Sequence, residues 1–166
     1  SASHNIYATR HFFYTPVFAE YYRDPYKNID QRITAGLGLG YTIFDTGKYE
    51  WNVNGGPAYV STKYISVQPG EEQKVEAGAL VLATDFDAEL SSALDFIFKY
   101  NLQAKEAEAG GYTHHMIATF ESEITGSLDF DISMIWDRIS QPATDAEGNT
   151  PKPDDYRLTL GVTYTY

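Results

Sequence analysis

The sequence predicts an all-β fold, an antiparallel up-and-down transmembrane β-barrel with about nine strands visible, part of a barrel of about 10–12 strands. Three observations predict it. Apolar and polar residues alternate with a period of two along most of the chain. Tight turns and long polar loops follow each other in strict alternation. Several alternating runs exceed the roughly 5–6 residues of an ordinary strand and reach the roughly 9–11 that a tilted strand needs to cross a bilayer.

The runs fall at about 4–14, 16–24, 31–44, 48–64, 75–88, 91–104, 112–124, 126–137 and 155–166. In the third, Ile33, Ala35, Leu37, Leu39, Tyr41 and Ile43 share one face, while Arg32, Thr34, Gly36, Gly38, Gly40 and Thr42 share the other. Leu94 to Leu102, Leu128 to Trp136 and Leu158 to Tyr166 repeat the pattern. Thr15-Pro16, Asp45 to Lys48, Glu89 to Ser92 and Thr125-Gly126 read as tight turns, and 24–30, 65–74, 105–111 and 138–154 as longer loops rich in Gly, Pro, Asp and Glu. In a meander, this order places all short turns and the C-terminus at one end.

Composition narrows the function. The 166 residues fit one domain, 1–166. A net charge of −11 argues against nucleic-acid binding, which needs a basic surface. The absence of cysteine excludes disulfides, thiolate metal sites and a cysteine nucleophile. No apolar run is long enough for a transmembrane helix. Ser1-Ala2-Ser3-His4 has neither a basic region nor an apolar stretch behind it, so any signal peptide is expected to have been removed.

Alternation alone fits either a soluble barrel with its apolar face inside or a membrane barrel with that face outside. Aromatic residues favour the second. Tyr41, Phe44, Trp51, Phe86, Tyr164 and Tyr166 lie near the short turns, and Tyr22, Tyr59, Tyr64, Tyr112, Trp136 and Tyr156 near the long loops. Two bands match the girdles of a barrel in lipid. Gly36, Gly38 and Gly40 sit on the polar face, where missing side chains leave room for bulky neighbours in a narrow lumen. The chain ends on Thr159-x-Gly161-x-x-Tyr164-x-Tyr166, which resembles the signal read by the bacterial outer-membrane insertion machinery.

Longer stretches carry a family resemblance. Tyr21-Tyr22-Arg23-Asp24-Pro25-Tyr26-Lys27-Asn28-Ile29-Asp30-Gln31-Arg32, Gly36 to Tyr41, Gly55-Gly56-Pro57-Ala58-Tyr59, Trp136-Asp137, Pro142 and Asp154-Asp155-Tyr156 together resemble the salt-stress-induced, YdiY-like outer-membrane proteins, a domain of unknown function. The resemblance spans nearly the whole chain but only the later part of the family pattern, whose first strands have no counterpart. It implies a bacterial outer-membrane barrel, possessing no catalytic residues to transfer. Because a closed antiparallel meander needs an even strand number, nine strands and this offset together predict missing N-terminal strands. The Arg-Asp-Pro segment reads as a structural loop: Asp24-Pro25 starts a turn, and Arg23 and Arg32 can pair with Asp24 and Asp30.

The sharpest cluster of chemical groups is Glu121, Glu123, Asp129 and Asp131, on one face of two strands joined by a tight turn. Cross-strand carboxylates at about 5 Å suggest a lumenal cation site or an acid/base pair. The competing reading is a charge network with Lys99, Arg32, Arg10 and Arg157 filling a polar lumen. His114-His115 cannot grip one metal ion, because neighbours on a strand face opposite sides. In 138–154, Gly148 is misplaced for an EF-hand, and Pro142, Pro151 and Pro153 favour a solvated loop.

The sequence therefore points to a non-enzymatic outer-membrane barrel, envelope-structural or a narrow passage, with a stress or salt response as the resemblance implies. No metal or cofactor is expected. Partners are outer-membrane lipids, lipopolysaccharide and the insertion machinery, with the C-terminus periplasmic and the long loops extracellular. The alternatives are a soluble β-barrel binding a small ligand and an outer-membrane enzyme.

Overall fold

The computed structural model describes residues 2–164. One antiparallel sheet takes in every strand: β1 (Ala2–Ser3), β2 (Ile6–Tyr7), β3 (Phe12–Asp24), β4 (Ile29–Asp45), β5 (Tyr49–Tyr64), β6 (Lys74–Ser91), β7 (Leu94–Lys105), β8 (Tyr112–Thr125), β9 (Leu128–Ile139) and β10 (Asp154–Tyr164). From β3 onward each strand pairs with the next, so the meander is the sequence order itself. β1 and β2 both pair with β3 and act as one interrupted strand, giving nine places in the sheet.

The sheet curls on itself. Lys27, between β3 and β4, donates from Nζ to the carbonyls of Asp137 (3.4 Å) and Pro153 (3.3 Å) beside β9 and β10. The Ala146 N–H donates to Ser66 Oγ (3.2 Å), joining the two longest loops. Early and late strands thus face each other around an interior.

The interior is the polar side. On β4, Thr34 is 1% exposed and Arg32 3%, whereas Leu39 is 72% exposed and Leu37 54%. This reverses the burial of a soluble domain, where charged residues almost never lie fully inside. The same phase runs through β7 to β10, where Leu158, Leu160, Val162 and Tyr164 lie open on the outside.

Aromatic rings form two outer bands. Phe44, Trp51, Phe86, Phe96 and Phe120 follow one another across β4 to β8 at the short-turn end, with centroids 4.8–6.3 Å apart. Toward the long loops, His114, Trp136 and Tyr156 stack across β8 to β10. Phe120 and Tyr112 on β8 stand eight residues apart, about 26 Å of extended strand and close to the roughly 25 Å of a barrel's apolar belt. Tyr22 and Tyr64 correct the expected loop-side band, because both turn inward: Tyr22 donates to Asp24 and Tyr64 packs in the interior core.

The first turn is also corrected. Thr15-Pro16 is no turn; β3 runs through it, and the register slips between Thr15 and Phe18 by one extra residue. A bulge accommodates a proline that cannot donate to the ladder. The turn lies at Ala8–His11, where Thr9 Oγ1 accepts the Phe12 N–H (3.0 Å). Arg10 therefore stands exposed in a turn and not on the lumenal face. The turn expected at Glu89 to Ser92 moves to Ser92–Ala93, because β6 pairs on to Ser91, and the other predicted turns and loops fall within a residue or two of their expected places.

Candidate functional site: the lumen

Cross-strand register sorts the interior into three zones. At the short-turn end, Glu89, Asp95, Glu121 and Asp131 stand directly opposite one another on β6 to β9. Glu123 faces Asp129 beside them, and Glu50 faces Asp87. Gly161 closes the row on β10, since a Cβ there would run into the Asp131 carboxylate. The four predicted acids are thus brought together. Lys99 lies opposite Asp85, two lumenal positions deeper than Asp95, and Arg32 is at the far end of the lumen.

The middle zone is a cavity of about 440 Å³ lined by Asn5, Thr15, Glu20, Asn54, Asn101, Gln103, His115 and Asp137 among others. Glycines shape its wall: Phe13 and Phe18 lie where Cβ atoms on Gly40 and Gly36 would be. His115 and Asp137 share a 2.6 Å Nδ1–Oδ1 hydrogen bond, and Arg157 pairs with the other Asp137 oxygen. His114, on the outer face, meets the Tyr100 hydroxyl at 2.7 Å. The His115–Asp137 pair resembles a base and its orienting carboxylate. Among the described residues, however, the hydrogen bonds of His115 include no serine or threonine nucleophile.

The loop-side zone is narrowed by packed side chains. Ile29, Tyr64 and Ile139 form a buried cluster, with Val67, Val75 and Ala143 against it. The loops above are stitched together: Asn28 Nδ2 donates to the Ser66 carbonyl (2.8 Å), and Asn28 Oδ1 accepts the Ser66 N–H (3.1 Å). Beneath the plug, Arg32 donates from Nε to Thr62 Oγ1 (3.1 Å) and Lys105 from Nζ to Thr113 Oγ1 (2.9 Å).

The Arg-Asp-Pro loop is built as its turn chemistry requires, with one change. Asp24 accepts the Tyr26 N–H (3.0 Å) ahead of the Pro25–Lys27 turn, and Asn28 takes the left-handed conformation that ends it. Arg23 pairs with Asp30 at 3.8 Å, joined by Lys63 at 3.2 Å. Arg32 points into the lumen and pairs with neither aspartate.

A family model described as a protein of unknown function, DUF481, matches residues 3–166. The chain belongs to the DUF481 family. No curated protein matches it. Among solved structures, the NanC porin in a rhombohedral crystal form matches with a TM-score of 0.57 and 11% identity, over 99% of this chain and 76% of that one. At that identity the likeness concerns the fold, and it gives the DUF481 chain a porin-type β architecture.

In this DUF481 chain, Thr159 and Gly161 of the predicted assembly signal face the lumen, and Tyr164 faces outward. Tyr166 lies outside the described residues. Alternation places Gln103 on the polar face of β7 after Asn101. Lys105, the next residue on that face, and the Ile29–Tyr64–Ile139 plug were missed, although the same alternation carried one step further finds Lys105. Among the described residues, no three acidic or histidine groups are arranged to hold a metal ion.

Proposed function

We propose that this chain is an integral protein of the bacterial outer membrane, non-enzymatic, whose lumen gives small polar solutes a narrow, restricted passage. The observation that carries this reading is the inverted burial: a charged interior enclosing a cavity of about 440 Å³ within a sheet whose outer face is apolar. Water fills such a lumen at low cost, while lipid suits the outer face. The row Glu89–Asp95–Glu121–Asp131 favours cations at the short-turn mouth, as rings of carboxylates do in cation pores. The plug of Ile29, Tyr64 and Ile139 restricts the other mouth.

Orientation follows the porin plan, with short turns and the C-terminus periplasmic and the stitched loops outside. Lipids, lipopolysaccharide and the insertion machinery are the partners of this reading. A salt-stress role rests on family resemblance and is tested by whether expression rises in high salt. Planar-bilayer recording tests the passage. Wild-type protein should give small, cation-preferring steps, and Ile139→Ala larger ones. An inserted, folded barrel silent in both forms would favour a purely structural role.

A further inference from the structure

Among the described side chains, two cations of the loop-side lumen, Arg32 and Lys105, have no ion-pair partner. Arg32 is 3% exposed, and Lys105 is half-buried. They come from β4 and β7, with two strands between them in the sheet, yet curl brings both to Gly110. Arg32 Nη2 and Lys105 Nζ lie 3.8 and 3.7 Å from one point, the Cβ position of Gly110. Each donates only to a neutral threonine hydroxyl, and the ion pairs among the described side chains go to other cations. Asp137, the nearest candidate on β9, is already taken by His115 and Arg157. Glu20 acts on both cations only at a distance. Like charges brought together away from water are costly without an anion between them.

A second observation points to a ligand. Thr34 Oγ1 and Gln103 Oε1 are buried with no hydrogen-bond partner, their residues 1% and 3% exposed. Thr34 is the next lumenal residue after Arg32, and Gln103 the one before Lys105. An amide oxygen can only accept, so Gln103 calls for a donor where the cations call for an anion. Gln103 also lines the central cavity, which has room for a small molecule.

We propose that Arg32, Lys105, Thr34 and Gln103 form a binding site for a small carboxylate that also bears hydroxyl groups. The carboxylate sits between the guanidinium and the ammonium, where charge-assisted hydrogen bonds are strongest. A hydroxyl donates to Gln103 Oε1 and another exchanges a bond with Thr34. The site rests on the barrel fold and not on conduction.

Titration calorimetry on folded protein in detergent micelles tests it, in chloride-free buffer, with D-gluconate, acetate and sorbitol as probes. Gluconate should bind saturably, acetate at least tenfold more weakly, and sorbitol without detectable heat. Lys105→Gln should weaken gluconate tenfold or more, and Gln103→Leu should reduce it to the affinity of acetate. Asp131→Asn, at the other mouth, should leave it unchanged. Both loop-side variants must keep the heat-modifiable mobility of the folded form. No saturable binding, or binding indifferent to Lys105→Gln and Gln103→Leu, overturns the proposal. Equal affinity for acetate overturns the hydroxyl contacts. Binding that emerges only in Glu106→Gln would mean that the chain supplies its own counter-ion, and would overturn the proposal. Because micelles need no passage, silent bilayers leave this result standing, and failed binding leaves the passage standing.

Discussion

The ring of Phe13 on β3 occupies the space that a Cβ on Gly40 of β4 would need. Phe13 is buried on the lumenal side, so the glycine opposite it is the complement of a large side chain in a narrow interior. Gly40→Ala should therefore destabilise the barrel by about 1–3 kcal/mol, the usual cost of overpacking. In the Phe13→Ala background the same change should cost much less, a coupling expected only of residues in contact. Urea titration of the heat-modifiable band measures all four corners of the cycle.

Outer and inner faces should respond oppositely to charge. Leu82 lies near the middle of β6 and 47% exposed on its outer face, with Ala83 beside it on the lumenal face. Leu82→Arg should cost about 2–4 kcal/mol if that face meets the bilayer core. Ala83→Ser should cost far less. The same urea titration ranks them.

The loop at 140–153 carries a pH-sensitive turn. The backbone N–H of Asn149 (2.8 Å) and its side-chain Nδ2 (3.1 Å) donate to Asp145, as does the N–H of Glu147 (2.9 Å), and these bonds hold its carboxyl below the ordinary value. A depressed carboxyl stabilises the turn above the unfolded value near ~3.9 and loses that contribution as pH falls through the lower folded value. Proteolysis within this loop should stay slow at neutral pH and accelerate only in acid below about 4. Asp145→Ala should be cut at the fast rate throughout.

Orientation is open to a direct check. Thr46 lies in a short turn and Gly148 in the longest loop, both exposed. Cysteines at these positions in intact cells should differ, with only the one at Gly148 reached by an impermeant label. Equal labelling would defeat the proposed topology.

Most of the wall was legible because alternation is local. Ile33 to Tyr41 needs no partner to declare its outer face, and Glu121 and Asp131 meet because a tight turn fixes their register. Pro16 misled because a Thr-Pro pair between two alternating runs reads as a turn, whereas here a bulge absorbs it and a turn lacking glycine and proline, Ala8–His11, reverses the chain. Ile29 enters the plug through a register slip between Ile29 and Gln31, which a strict period of two cannot anticipate. Arg32 and Lys105 meet only through curl, a property of the whole sheet and of no single segment.

The central claim is that this chain is a membrane barrel with its polar face inside, and β6 tests it most directly. Spin labels placed singly from Leu80 to Asp87 in reconstituted vesicles report collisions with oxygen, enriched in lipid, and with a water-soluble nickel chelate. The account predicts oxygen maxima at Leu80, Leu82, Thr84 and Phe86 and nickel maxima at Val81, Ala83, Asp85 and Asp87. The opposite phase, or chelate access at every position, would contradict it.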